Sequence, residues 1–524
     1  MSVHKRFVAA AVAAALVGSG ACNNSDLTNI NQNPNSPTSA PPGAVFTRGT
    51  QVGVGRWLGS GYDMRATEFV AQHFAEVQYP QDDNYLRLGA SGTSSYYDQA
   101  YYTELEDLTQ VVRRGRALNS PGIFGPAMVM RTWVFAYLTD TFGDVPYFQA
   151  LQGDSTTSVI TPAYDPQKAI YADFFRVLDT VATTMANPPA TGQSLGSADP
   201  IFAGNALRWQ RFANSLRARL AMRLANVDPA TAKAQFVAAV NAPGGLMAST
   251  ADNAQLTWPG DGVYDNPWST SLQTRDDIRI SDRLLAVMQA TNDPRIAVYA
   301  QLAPKDTTDN KIAKWCLTGG PPCYVGLQNA LSQADASPHV PYTSRVGIIF
   351  YPAKSTYGVS GGRGPSYPSY LMTFAEVSFL KAEAAERGWI AGSAAQFYQD
   401  GINASMTQWG VSSAGAAAYL TSAGVPYLGG TAGLKQIATQ KWVALYTDGG
   451  QAWAEWRRTC QPSNLHPGPT AVVNQIPRRF QYSLNDQVTN TTNLAAAVAR
   501  QGADNFLTRI YWDSQPSAAP TRGS

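Results

Sequence analysis

The residue types that most often carry out chemistry are few in this sequence, and none stands in a catalytic pattern. His73, His339 and His466 each stand alone, without the paired spacing that zinc ligands need. The one G-x-S-x-G match, at residues 358–362, is followed by a glycine and prolines, which prevent the helix that a nucleophile elbow requires after Ser360. The sequence therefore predicts neither a catalytic serine nor a metal site.

Glu376 and Glu383 lie seven residues apart on one predicted helix and share a face, so they resemble a pair of glycosidase carboxylates. At a rise of about 1.5 Å per residue their separation along the axis is roughly 10 Å, beyond the retaining range and slightly beyond the inverting one. Their alanine-rich surroundings favour structural ion pairs with arginines. We therefore predict that the protein is not an enzyme and needs no cofactor.

The composition argues against a nucleic-acid-binding protein. Charged residues make up 15% of the 524 residues and the net charge is +2, whereas such a protein needs a basic surface that neutralises phosphates. Glycine and proline are frequent, with 44 and 33 copies, which predicts long ordered loops beside the regular elements.

Residues 1–21 have the form of a signal peptide. A basic start precedes the apolar run FVAAAVAAALVG, which is too short to span a bilayer, and small residues then lead to Cys22. This pattern predicts a lipoprotein whose Cys22 is acylated. Ser19 stands where leucine is usual, however, and together with Ala21 it also suits an ordinary signal peptidase that leaves no lipid.

The polar stretch 22–43 is rich in Asn, Ser and Pro and predicts a flexible tether, and residues 514–524 predict a disordered tail. Helical periodicity predicts a body formed by residues 44–243 and 369–460. Within that body, Asp165 and Pro166 are typical of a helix start.

A helix pair that resembles a tetratricopeptide unit is predicted on either side of residues 388–392. The body is interrupted by a loop-rich insert, 244–368, and is followed by a closing segment, 461–513. Because such long loops in a compact protein are usually functional, we expect the ligand-facing surface to lie on the insert.

Loop aromatics and neighbouring amides are the candidates for ligand contact, because ring faces can stack on sugars while amides bind hydroxyls. The alternative interpretation is that these aromatic side chains only pin long loops to the body. The candidates are Tyr79, Asn84 and Tyr85 in YPQDDNY, Trp258, Tyr264, Asn266 and Trp268 in WPGDGVYDNPW, and Trp315 and Tyr324.

Trp315 and Tyr324 flank the segment CLTGGPPC. Its glycines and prolines favour a turn, and the exported chain meets an environment in which thiols can oxidise, so we predict a disulfide between Cys316 and Cys323. Cys460 is left without a predicted partner.

Residues 440–462, with the sequence QKWVALYTDGGQAWAEWRRTCQP, hold four large aromatic side chains around a double glycine. Trp442 and Tyr446 are four residues apart, and Trp453 and Trp456 are three apart, so each pair lies on one face of its own helix. The pattern predicts a packed corner of two helices, with the aromatics in the core.

The same stretch closely resembles the signature of the SusD/RagB family of nutrient-binding outer-membrane lipoproteins. Further segments are similar to family motifs in the family's order: LTNINQNPNSPT, TDTFGDVPYFQAL, WQRFANSLRARLAMRL, LMTFAEVSFLKAEAAERGW, IPRRFQYSLNDQ and GADNFLTRIYWD. The resemblance covers nearly the whole mature chain and implies a SusD-like domain over residues 44–513.

The resemblance implies a mostly α-helical SusD-like fold with tetratricopeptide-like helix pairs and long irregular ligand-bearing loops. It also implies a non-enzymatic lipoprotein, held on the outer surface of the outer membrane by its N-terminal lipid. Such a protein captures oligosaccharides or peptides and acts as a lid on a TonB-dependent, SusC-like barrel. A secreted glycan hydrolase with a helical body and a purely structural lipoprotein remain the alternatives.

Overall fold

The computed structural model describes residues 40–153, 158–303, 323–353, 362–514 and 521. Helices form most of the described chain, as expected. In the first half they are α1 (Pro42–Trp57), α2 (Glu68–Val70), α3 (Ala90–Ala100), α4 (Glu106–Ala117), α5 (Pro121–Phe142), α6 (Gln167–Ala186), α7 (Ala206–Arg223) and α8 (Pro229–Asn241).

In the second half the helices are α9 (Pro267–Leu272), α10 (Asp282–Ala290), α11 (Ile296–Tyr299), α12 (Gln333–Ala336), α13 (Phe374–Glu386), α14 (Ala394–Gln408), α15 (Ser413–Leu420), α16 (Gly430–Ala444), α17 (Gly449–Thr459), α18 (Leu484–Thr489) and α19 (Thr491–Gln501). Two turns are π-helical, Ser60–Thr67 and Tyr101–Leu105. The first helix begins at Pro42, so the last two residues of the predicted tether 22–43 belong to the helical body; the tether up to residue 39 lies outside the described residues.

Consecutive helices pack against each other in pairs: α4 on α5, α6 on α7, and α13 on α14. The central helix α5 is buried on almost all sides. It ends at Gly143, whose φ of 86° is a conformation that glycine adopts at little energetic cost. None of the helices in the described ranges is both long and apolar enough to cross a membrane.

The start of α6 differs from the predicted one. The helix begins at Gln167, and the carboxylate of Asp144, which lies just after the end of α5, accepts the Gln167 backbone N–H at 2.8 Å. Asp165 instead accepts the backbone N–H groups of Tyr147 and Phe148, at 3.0 and 2.8 Å. Asp165 therefore binds the backbone at Tyr147 and Phe148. Asp144, more than twenty positions before Gln167, supplies the hydrogen bond at the start of α6 instead.

The pair α13–α14 is the tetratricopeptide-like pair that the sequence predicts. With α15 and α16 it encloses a second, smaller apolar cluster that includes Phe379, Tyr398 and Ile402, apart from the main core. In α13, Glu376 pairs with Arg219 at 2.7 Å and Glu383 with Arg458 at 2.7 Å. The prediction that both acids are structural is confirmed.

The segment 244–368 is tied to the body by short antiparallel strands. Strand β1 (Phe74–Glu76) pairs with β5 (Ile278–Ile280), and β4 (Ala254–Leu256) pairs with β6 (Ser369–Met372). The remaining pair, β2 (Val145–Pro146) with β3 (Tyr164–Asp165), closes the loop that follows α5. These pairings hold the long loops of the segment against the helices.

Residues 440–462, called the corner below, are core as predicted. Trp442, Tyr446, Trp453 and Trp456 are at most 2% exposed. The Trp453 indole donates to the Pro477 carbonyl at 2.8 Å.

Glu455 lies in the same corner and accepts hydrogen bonds from Lys441 at 3.0 Å and Arg458 at 2.5 Å. Burial alone raises the pKa of Glu455, but the charges of Arg458 and Lys441 outweigh it and lower the pKa below the ordinary value. Lys441, Arg458 and Glu455 therefore form a buried ion-paired cluster.

Candidate functional site

A cleft of about 460 Å³ opens between the turn that joins α3 to α4, the loop after β2, and helix α18. We call it the cleft. Its volume lies in the range of small-molecule sites, roughly 300–1,000 Å³. The lining residues used below are Tyr97, Asp98, Tyr101, Tyr102, Glu106, Ile160, Asp486 and Asn490.

The first wall of the cleft is the π-helical turn Tyr101–Leu105 between α3 and α4. A π turn inserts a residue into a helix and changes the direction of the side chains around it, and such turns are frequent at functional sites. Here Tyr101 points inward, and its hydroxyl donates to the Pro146 carbonyl at 2.8 Å. Tyr102 points outward and is 69% exposed, so a ring face is free to contact a ligand.

The facing wall is the loop after β2, and α18 and the start of α19 hold it in place. The side-chain amide of Asn490 donates to the Pro162 carbonyl at 2.8 Å, and that of Asn493 donates to the Thr161 carbonyl at 3.0 Å. Ile160, on the same loop, is 82% exposed. Exposed apolar side chains grouped around a cavity are typical of a binding site.

The polar groups of the cleft are carboxylates that receive hydroxyl donors. Asp98 accepts the Ser483 hydroxyl at 2.6 Å, and Asp486 accepts the Tyr164 hydroxyl. Burial raises the pKa of both acids, and the charge of Asp486 raises that of Asp98 further. The arrangement can bind a ligand by stacking and by hydrogen bonds from its hydroxyl or amino groups.

Four of the sequence-predicted ligand residues are buried, which corrects the expectation that they present free surfaces. Tyr85, Trp258, Asn266 and Trp268 are 0%, 6%, 4% and 2% exposed. Trp268 packs between Phe74 and Phe350, with ring centroids 5.4 and 5.3 Å away.

Trp258 and Asn266 are held by hydrogen bonds to the body. The Trp258 indole donates to the Ser369 hydroxyl at 3.0 Å, and the Asn266 amide donates to the Tyr367 carbonyl at 2.8 Å. Both partners lie just before or within β6, so these side chains pin the loop 258–268 to the body, which is the alternative that the sequence left open. The Trp258 ring is 6% exposed and offers no free face to a sugar in this conformation.

The other predicted residues within the described ranges are partly or largely exposed, but they do not line the cleft. Tyr79 lies below two guanidinium groups, 4.7 Å from that of Arg275 and 5.7 Å from that of Arg65. Asn84 is half-buried, and Tyr264 is 52% exposed on a turn whose backbone is held by Asp261. Tyr324 lines a separate shallow hollow beside α10. A role for these four residues in ligand contact stays a prediction.

Cys22, Trp315 and Cys316 lie outside the described residues. Cys323 is partly buried against Ala303. The disulfide between Cys316 and Cys323 and the acylation of Cys22 therefore stay predictions. Cys460, unassigned from the sequence, is a free thiol at the end of α17.

The sequence did not predict the cleft residues at 97–106, because their pattern is that of an ordinary helix. The available signal was the pair of double tyrosines in YYDQAYY, at residues 96–97 and 101–102. Positions five apart do not share a face of an α-helix, so this spacing is consistent with the π turn that brings Tyr97 and Tyr102 to the same cleft.

Comparison with known proteins identifies the family to which this chain and its fold belong. The chain belongs to the SusD-like family described as "Starch-binding associating with outer membrane", whose family model matches residues 34–483. No curated protein matches the sequence significantly.

Solved structures of the same family share the fold over nearly their whole length. A SusD homologue from Bacteroides uniformis has a TM-score of 0.74 and 25% identity, over 90% of this chain and 99% of that chain. A chitin-binding SusD homologue from Flavobacterium johnsoniae has a TM-score of 0.73 and 25% identity, over 91% and 98%. A further chitin-binding protein, 24% identical with a TM-score of 0.75 over 91% and 100%, shares the fold.

Proposed function

We propose that this protein is a nutrient-binding protein of the outer membrane that captures oligosaccharides and does not transform them. The observation that carries the proposal is the match to a starch-binding, outer-membrane-associated family over residues 34–483. Similar solved structures include a chitin-binding SusD homologue, which supports a glycan as the ligand.

The cleft is our proposed site of capture. It combines an exposed tyrosine ring at Tyr102, an apolar side chain at Ile160 and hydrogen-bonding groups at Asp98 and Asp486. Sugar rings have apolar faces and a rim of hydroxyls, so they need this mixture of surfaces. A cavity that offers both kinds of contact is the default binding site of a protein.

The protein is further proposed to be anchored by a lipid on Cys22 and to act as a lid on a TonB-dependent, SusC-like barrel. The signal-like N-terminus and the family's association with the outer membrane support this role. Replacing Cys22 with serine is expected to move the protein into the soluble fraction, because stable anchoring depends on the acyl chains. Equal retention of the variant and the unaltered protein in the outer membrane would contradict the anchor.

Glycan capture is tested by titration calorimetry of the purified protein against starch-type and chitin-type oligosaccharides and against peptides. We expect saturable binding of at least one oligosaccharide, weakened by Tyr102→Ala and unchanged by Tyr264→Ala, an exposed tyrosine outside the cleft. Binding of peptides alone would contradict the glycan proposal. Release of shorter sugars during the incubation would indicate a hydrolase instead.

A further inference from the structure

A second concave surface lies at the end of helix α10 and the start of α11, apart from the cleft. It has a volume of about 410 Å³, and the lining residues used here are Met288, Gln289, Asn292, Asp293, Ile296 and Tyr324. We call it the hollow. None of the described residues that line the hollow also lines the cleft. Its volume lies within the range of small-molecule sites, roughly 300–1,000 Å³.

The hollow combines a tyrosine ring with apolar side chains. Tyr324 and Ile296 are half-buried and pack against the main core, while Met288 is only 1% exposed. Methionine adapts to irregular surfaces, and an aromatic ring can contact the apolar face of a sugar. Tyr324 is one of the loop aromatics that the sequence predicts for ligand contact. Unlike Trp258 and Trp268, it keeps a substantial part of its side chain uncovered.

Two amide side chains supply polar groups at the same place. Gln289 and Asn292 are both exposed, and the Gln289 amide donates to the Tyr324 backbone carbonyl at 3.1 Å. An amide carries two N–H donors and an acceptor oxygen, so this bond uses one donor of Gln289. It also fixes the backbone of Tyr324 beside α10. A ring next to amide groups matches a neutral sugar, which has an apolar face and a rim of hydroxyls.

The turn that carries these groups is tied to the helical body through Arg295, which is fully buried. Arg295 donates to the Asp293 carboxylate at 3.0 Å. It also donates to the Ser405 hydroxyl in α14 at 2.9 Å and to the Gln440 side-chain oxygen in α16 at 2.8 Å. Asp293 is the one charged side chain among the described lining residues, and its charge is thus paired. A preformed wall loses less conformational entropy when a ligand binds.

We propose that the hollow is a second carbohydrate site, which binds a neutral oligosaccharide. One sugar ring lies on Tyr324, and hydroxyl or acetamido groups bind the amides of Gln289 and Asn292. Each chain then has two sites, one in the cleft and one in the hollow. This inference rests on the proposed function for the class of ligand, but it does not depend on the cleft.

Titration calorimetry of the full chain tests whether the two sites exist. The probes are N-acetylglucosamine oligomers and maltose-type oligomers of equal length, which also distinguish a chitin-type from a starch-type ligand. They are titrated into the unaltered protein and into Tyr102→Ala. For at least one probe we expect two binding phases. In Tyr102→Ala the phase of the cleft should weaken and the phase of the hollow should stay unchanged.

Variants of the hollow then locate the second phase. Tyr324→Ala is expected to weaken that phase by at least about tenfold, whereas Tyr324→Phe keeps the ring and should bind nearly as tightly as the unaltered protein. Asn292→Asp keeps the shape of the side chain but lacks its N–H donors, and we expect a loss of about three- to tenfold. Tyr264→Ala changes an exposed tyrosine outside both sets of lining residues and is the matched control. Thermal melts confirm that each variant is folded.

The remaining outcomes separate the hollow from the cleft. A single phase that Tyr102→Ala weakens and Tyr324→Ala leaves unchanged would overturn the second site and leave the proposed function standing. A single phase that only Tyr324→Ala weakens would support the hollow and overturn the cleft as the site of capture. Equal losses in Tyr324→Phe and Tyr324→Ala would overturn the stacking contact. Binding of neither probe would overturn both proposals.

Discussion

The corner and the cleft wall are built from the same kinds of residue, but the protein covers them to very different extents. In the corner, Trp442, Trp453 and Trp456 are covered on all sides, and acids and bases pair with each other. In the cleft wall, Tyr102 stands 69% exposed, and the neighbouring Asp98 accepts the Ser483 hydroxyl at 2.6 Å. A cluster of aromatic and charged side chains lies in the core where the protein covers the rings and pairs the charges, and the uncovered cluster is the one that we propose to bind ligand.

The two clusters differ in burial because of the direction in which their helices point the aromatic side chains. In the corner the indole of Trp453 has the guanidinium of Arg457 3.5 Å from its ring centroid and the ring of Phe480 at 5.3 Å. In the wall the π turn directs Tyr101 toward the body and Tyr102 away from it. The comparison therefore predicts stability effects in the corner and binding effects in the cleft.

The largest effect is expected from Trp453→Ala. Removing a fully buried indole leaves a cavity and frees the Pro477 carbonyl, so the free energy of unfolding should fall by about 3–5 kcal/mol. Denaturant unfolding measures the change. A folded variant should still bind the glycan, and loss of binding with unchanged stability would reverse the roles of the two regions.

The second expectation concerns the pH dependence of the corner. Asp448 is buried at the start of α17, accepts the Tyr137 hydroxyl at 2.7 Å, and has its pKa raised to about 7, chiefly by burial. Between the ordinary carboxyl pKa and pH 7, the folded state holds a proton that the unfolded state has released. The contribution of this group to stability is therefore present at low pH, falls as the pH rises through that window, and changes little above it.

The variant Asp448→Asn stays neutral and keeps an oxygen acceptor for Tyr137. We expect its free energy of unfolding to decline less steeply than that of the unaltered protein, by on the order of 2–4 kcal/mol between pH 4 and 7. Denaturant titrations at several pH values test this. Parallel curves for the two proteins would show that Asp448 is ionised in the fold.

In the cleft, Tyr102→Ala is expected to weaken glycan binding by about 1–2 kcal/mol through the loss of a ring contact. The melting temperature should hardly change, because the side chain is mostly exposed. Calorimetry and thermal melts on the same sample separate the two effects. A marked loss of stability together with intact binding would mean that Tyr102 belongs to the core.

The smallest effect is expected from Tyr264→Ala. This exposed tyrosine lies on the loop that the sequence favoured as a ligand surface, and it is absent from the lining of the cleft. We expect changes within about 0.5 kcal/mol in stability and none in glycan affinity. A loss of affinity comparable to that of Tyr102→Ala would extend the site to the predicted loop surface.

Particular residues show how far the sequence could be interpreted. Helix periodicity predicted the pair α13–α14 and the core position of Trp453, because both depend on spacing within one helix. The role of Trp268 depended on Phe74 and Phe350, which are distant in the chain. The predictions for the loop aromatics were therefore the least reliable. A ring flanked by glycine and proline has the same local sequence whether other side chains cover it or leave it exposed.

The sequence by itself determined the family, the helical character of the body and the structural role of Glu376 and Glu383, because motifs and spacing are local properties of the chain. Only the tertiary structure decided which aromatic rings are covered, and that Asp144 rather than Asp165 binds the start of α6. It also decided that residues 97–106 and Asp486 share one cleft. Burial and charge pairing depend on contacts between segments hundreds of residues apart, and no local pattern specifies which segments meet.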